Sequence, residues 1–118
     1  MLRASATTTE TEVDISGING DAAAAGVGVK YGPELMQFAE AVATRDASGL
    51  DTARTALRAI AGTDVLVDAA GVAANFQRMV RIADSMGIPV DDTESELGKS
   101  VRAELNLERF ASAQNTFG

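Results

Sequence analysis

The stretch TDVLVDAAGVAANFQRMVRIADSMGIPV, residues 63–90, decides the fold. Val65, Ala69, Val72, Phe76, Met79, Ala83 and Met86 follow one another at intervals of four and three. That alternation is the heptad spacing that keeps one seam of a helix apolar over about six turns. Leu66, Ala70, Ala73 and Val80 add a second apolar flank beside the seam. Thr63 or Asp64 suits the start of this helix, and Gly87 followed by Pro89 suits its end. A helix apolar on two flanks needs partners on both sides, which predicts a central place in a bundle or at a subunit interface.

Working outward, the same logic predicts two helices before this one and one after it. Gly32-Pro33 opens the first helix, with proline at the first helical position and Glu34 near the positive helix end. Leu35, Phe38 and Val42 share one face, and the helix is expected to stop near Asp46. Ser48, with Asp51 three residues on, reads as the cap of a second helix whose inner face is Leu50, Ala53, Leu57 and Ile60 and which Gly62 ends. Beyond the turn at Gly87–Val90, Thr93 and Glu96 have capping-box spacing and open a fourth helix lined by Leu97, Val101 and Leu105. The tail from Leu107 to Phe117 carries Phe110 and one further helical turn. Strand patterns are nearly missing, so the expectation is an all-α bundle of about four helices.

Residues 1–32 differ in kind. They hold five of the eleven glycines, four threonines and few large apolar side chains, too little to offset the entropy of ordering. The expected organisation is therefore a flexible segment over 1–32, with a short extended piece at Val13-Asp14-Ile15, and a single all-helical domain over 33–118. Gly26-Val27-Gly28 with Gly32 lacks the strand, the Lys-Ser/Thr pair and the third glycine spacing of a phosphate loop, and reads as a linker.

Chemistry is limited by what is missing. The 118 residues contain no cysteine and no histidine, which removes the thiolate nucleophile, the usual neutral-pH acid/base and the commonest metal ligands. A net charge of −7 repels phosphate backbones and anionic lipid, so nucleic acid and membrane are not expected partners. No stretch approaches the ~20 apolar residues of a membrane span. No basic region precedes the apolar run Ala22–Val29, and a cytoplasmic location follows by default.

Ser48, Ser85, Ser95 and Ser100 lack an activating histidine and are best placed as caps, helix ends and solvated positions. Asp91, Asp92, Glu94 and Glu96 do not have EF-hand spacing and suit turn and helix-start chemistry. No catalytic residue, metal site or cofactor is expected. On the third helix, however, Asp68, Asn75, Arg78 and Ser85 recur along one side, with Gln77, Arg81 and Asp84 beside them. Two arginines on an acidic chain could clamp a small anion, with Asn75, Arg78 and Arg81 as the ligand-binding set. Alternatively they are structural, Arg81 pairing with Asp84 along the helix and Arg78 with an acid elsewhere.

The run NFQRMVRIADSMGIPV, residues 75–90, resembles the helix and following turn near the C-terminal end of alkylhydroperoxidase D-like and carboxymuconolactone decarboxylase-like proteins. The likeness rests on Asn75-Phe76, an arginine shortly after, the pair Ala83-Asp84 and the Gly87-Ile88 turn. It extends back through Leu35 to Ala43 and residues 48–74, including Asp68-Ala69, and covers about residues 33–92. It implies an all-helical half-domain that packs its helices across subunit interfaces. Peroxidase-type members carry a Cys-x-x-Cys motif and a histidine upstream, and decarboxylase-type members rely on histidines there. This chain has neither, so no catalytic residue carries over and a disulfide-cycling peroxidase is chemically excluded. The leading expectation is a non-catalytic helical domain that forms a homodimer or larger homo-oligomer. The alternatives are a carboxylate- or anion-binding, lyase-like protein and an accessory subunit of a cysteine-bearing partner.

Overall fold

A computed structural model describes residues 8–10 and 12–118. Of the segment expected to be flexible, residues 1–7 and 11 lie outside the described residues. The described part is all helical, with no strand among the described residues. Six α-helices occur there: α1 Ala22–Ala25, α2 Gly32–Thr44, α3 Ala47–Ala61, α4 Thr63–Met86, α5 Glu96–Leu105 and α6 Gln114–Phe117. Short 3₁₀ turns sit at Ile15–Asn19, Leu107–Arg109 and Ala111–Ala113. The four longest helices, α2 to α5, are the four that the apolar periodicities predict. The chain divides into two compact units, Met1–Asn75 and Phe76–Gly118, with the division inside α4.

In the first unit, α2 and α3 form an antiparallel hairpin through a two-residue connection. Its core is Phe38, Ala53, Leu57 and Leu66, flanked by partly buried Tyr31, Leu35, Val42, Leu50, Val65 and Ala69. Leu57 is 0% exposed. Ile60, expected on the same inner face, is 53% exposed. Leu57 lies four residues after Ala53 and one turn before Ala61, so the inward stripe runs Ala53–Leu57–Ala61 and rotates Ile60 outward.

The cap of α3 also differs from the sequence expectation. Asp46, not Ser48, occupies it: its carboxylate accepts from the amides of Ser48 at 3.1 Å and Gly49 at 3.0 Å. Arg45 takes the left-handed conformation at the end of α2, with φ of 59°. That bend places Asp46 in extended geometry, where one anion satisfies two orphan amides at the positive helix end. Gly62, with φ of 90°, then ends α3 as expected, and its amide donates to the Arg58 carbonyl.

Residues 12–31, which composition assigns to the flexible segment, form two capped turns that belong to the same unit. Asp14 accepts from the Ser16 amide and hydroxyl, and Asp21 accepts from the amides of Ala23 and Ala24. Ile15 and Ala24 are buried. Gly32 shows how close the approach is: a Cβ there would collide with the Ala25 carbonyl oxygen. Small residues do the packing that composition alone makes look unavailable. Val13-Asp14-Ile15 is accordingly a lead-in to a turn, with Asp14 as its cap.

In the second unit, α4 ends at Met86, and Gly87 with φ of 66° turns the chain out. The helix that follows is α5, capped by Ser95, not by the Thr93/Glu96 pair. The Ser95 hydroxyl accepts from the Gly98 amide at 3.3 Å, while the Thr93 hydroxyl reaches Glu94 instead. Asp92 takes the amides of Glu94 and Ser95, and so sets the helix start two residues later than expected. Leu105 is buried and Val101 half-buried, but Leu97 is exposed, contrary to the expected inner face. The Val90 amide donates to the Thr116 hydroxyl at 2.9 Å, and Arg102 lies over the Phe117 ring at 5.9 Å. These two contacts hold the C-terminal turn to its own unit.

Candidate functional site

Helix α4 carries the feature that needs explaining. At its N-terminal end the seam is used: Leu66 is buried, and Val65 and Ala69 pack against the core of the first unit. From Val72 onward the large seam residues are exposed. Phe76 is 57% exposed, Met79 53% and Met86 72%. Val72, Val80 and Ile82 are exposed beside them, and only Ala73 and Ala83 on this side are half-buried.

The exposure is positioned by helix geometry. With Val65, Val72, Met79 and Met86 as one heptad position and Ala69, Phe76 and Ala83 as the other, the seam stays on one side of a continuous 24-residue helix. Ala73 and Val80 border it on one edge, and Asn75 and Ile82 on the other. Ile82 and the turn residues Ile88 and Val90, also exposed, were not singled out by the heptad reading. Ile82 lies three residues after Met79 and four before Met86, a helical spacing that places it beside the seam and widens the apolar face.

The residues expected to bind an anion are all on this helix. Asn75, Arg78 and Arg81 recur every third residue and all three are exposed. Asn75 and Arg78 already engage neighbours. Among the described residues Arg81 makes no ion pair with Asp84, so the expected link along the helix is not formed. An open depression of about 460 Å³ lies elsewhere, between the end of α2 and the start of α3, lined by Gln37, Glu40, Thr44, Asp46 and Thr52 among others. It contains no cation, and its threonine hydroxyls are spent on backbone carbonyls: Thr44 donates to Glu40 at 2.8 Å and Thr52 to Ser48 at 3.2 Å. A second depression, near 260 Å³, is lined by Lys99, Arg102, Ala103, Asn106 and Glu108. None of Asn75, Arg78 and Arg81 lines either one.

The acidic run after α4 has ordinary local work. Asp92 orders the turn, and Glu94 and Glu96 lie 3.0 and 3.8 Å from the Lys99 ammonium. Among the described residues no group of three or more acids forms a cluster able to hold a metal ion. Ser85 donates to the Ile82 carbonyl at 3.0 Å, a helix-end contact. No helix among the described residues is long and apolar enough to cross a membrane.

Comparison with known proteins finds no matching family model, no matching curated protein and no matching solved structure.

Proposed function

We propose that this chain is a non-catalytic, all-helical module that works by associating with a second copy of itself through the open half of the α4 seam. The observation that carries the reading is the run of half-exposed large apolar side chains from Val72 to Met86 on one side of one helix. Fully burying a side chain of this size gains about 1.5–3 kcal/mol, of which a half-exposed one still has roughly half to gain, and a contiguous set marks an interaction surface. The stretch 69–83 contains no acid, only Arg78 and Arg81, so it does not repel another copy through carboxylates. The likeness of residues 33–92 to the helical half of alkylhydroperoxidase D-like proteins points the same way, because that family packs such helices between subunits.

Absolute mass from size-exclusion chromatography with light scattering tests the proposal. A dimer or larger species at both low and high salt is expected, because apolar contacts are insensitive to screening. Ala73→Glu, which puts a charge at the edge of the seam, should shift the protein to monomer. A wild-type monomer at tens of micromolar, or an Ala73→Glu variant with unchanged mass, would refute it.

A further inference from the structure

We infer that the Met86 thioether is a redox modification site that governs pairing: a peroxide converts it to the sulfoxide in the free copy, and the sulfoxide disfavours association. This rests on the self-association proposed above. The chain has no cysteine and four methionines, so thioethers are the only sulfur that a two-electron oxidant meets. Met1 lies outside the described residues. Met36 is half-buried on α2, and Met79, less exposed than Met86, already engages a neighbour. Met86 is 72% exposed, the most of any large apolar side chain among the described residues. It is the last residue of α4, and its chain neighbours are small. Ser85 turns its hydroxyl back to the Ile82 carbonyl at 3.0 Å, and Gly87 has no side chain.

The surroundings of Met86 make the modification consequential. It stands one helical turn beyond Ile82, and the exposed Ile88 and Val90 follow it in the turn, all within the second unit. A soft, polarizable thioether suits an apolar contact among such neighbours. In the oxidation a sulfur lone pair attacks one peroxide oxygen and the O–O bond breaks. Sulfur is oxidised by two electrons, and the released hydroxide takes the proton of the transferred hydroxyl and leaves as water. The product is a strongly polar acceptor. The side chains of Ile82, Ile88 and Val90 offer it no donor, so pairing strips its water without replacing the hydrogen bond. A pair contains the residue twice, and both sulfoxides oppose it.

Association and oxidation are then linked. Pairing covers the sulfur, so the reaction runs through the free copy and slows as the paired fraction rises with protein concentration. The change is reversible by a methionine sulfoxide reductase: two thiols of the reductant become a disulfide, and the sulfoxide oxygen leaves as water.

The full-length protein is treated with hydrogen peroxide, oxidation at each methionine is read by peptide mass spectrometry, and absolute mass is read by light scattering. Met86→Leu supplies an apolar side chain that peroxide leaves unchanged, and Met86→Gln supplies a polar one without oxidation. Conversion of Met86 to the sulfoxide is expected to raise the dimer dissociation constant at least ~10-fold. Reductase with dithiothreitol should then restore the dimer. Met86→Leu should stay dimeric through the same treatment, and Met86→Gln should be weakened without it. Oxidation of Met86 should slow as protein concentration rises, while oxidation of Met36 keeps its rate. A dimer of unchanged affinity with Met86 fully oxidised, or a Met86→Leu variant that peroxide dissociates as readily as wild type, overturns the switch and leaves self-association standing. An untreated wild type that is monomeric overturns both.

Discussion

Leu57→Ala should be the most damaging single truncation in the first unit, and Ile60→Ala should be mild, although the two residues lie one turn apart on α3. Leu57 is completely buried against Phe38, Ala53 and Leu66. Shortening it to alanine removes three carbon groups, ~2.4 kcal/mol at ~0.8 kcal/mol each, and leaves a cavity that brings the cost to about 3–4 kcal/mol. Ile60 is 53% exposed, so its truncation forfeits only part of the transfer term and opens no cavity, about 1 kcal/mol. Urea unfolding followed by far-ultraviolet circular dichroism reads the difference. With a slope of ~1–1.5 kcal/mol per molar for a protein this small, Leu57→Ala should lower the midpoint by about 2–4 M and Ile60→Ala by about 1 M or less. All variants are compared at one protein concentration, because association with a second copy raises apparent stability by mass action. Equal losses for the two variants would mean that α3 is rotated relative to the core and that the reasoning about its buried stripe is wrong.

Two further outcomes follow from the hairpin's ends. Asp46→Ala should cost ~1 kcal/mol of unfolding free energy because two amides lose their acceptor, whereas Ser48→Ala should be nearly neutral; the reverse ranking in the same urea assay would restore Ser48 as the cap. Arg45→Gly should raise stability by ~0.5 kcal/mol, seen as a higher melting temperature, since Arg45 holds a left-handed conformation that costs a side-chain-bearing residue ~1–2 kcal/mol. A lower melting temperature would show that the Arg45 side chain contributes more than its backbone costs.

The second unit offers a matching comparison. Ser95→Ala should weaken α5 by ~1 kcal/mol through loss of the bond from the Gly98 amide, while Thr93→Ala should leave it intact. Helicity and thermal midpoint of the full chain report both, and a larger effect from Thr93 would return the capping-box reading.

Much of the helical layout was legible because helices announce themselves through local rules. The Gly32-Pro33 start, the Gly62 stop, the Gly87 stop and the seam from Val65 to Met86 all depend on backbone conformations and on a period of 3.5 to 3.6 that neighbours along the chain define. Two caps were misplaced by two residues because several acceptors compete at each helix start. Asp46 outcompetes Ser48, and Ser95 outcompetes Thr93, only once the preceding turn has set which amides are presented. The turns at Ile15–Asn19 and Ala22–Ala25 escaped for another reason: glycine and alanine look too small to pay for order, yet they allow the backbone contact seen at Gly32.

By itself, then, the chain determined that the fold is helical, where the longest helix begins and ends, and that cysteine and histidine chemistry is closed to it. Those properties belong to single residues and to short-range periodicity. Only the tertiary structure decided how the apolar seam is divided. Leu66, Val65 and Ala69 are consumed by the chain's own core, and the large apolar side chains from Val72 to Met86 stay about half exposed or more. Periodicity marks a side chain as apolar and aligned with its neighbours, but burial depends on what the rest of the chain brings against it.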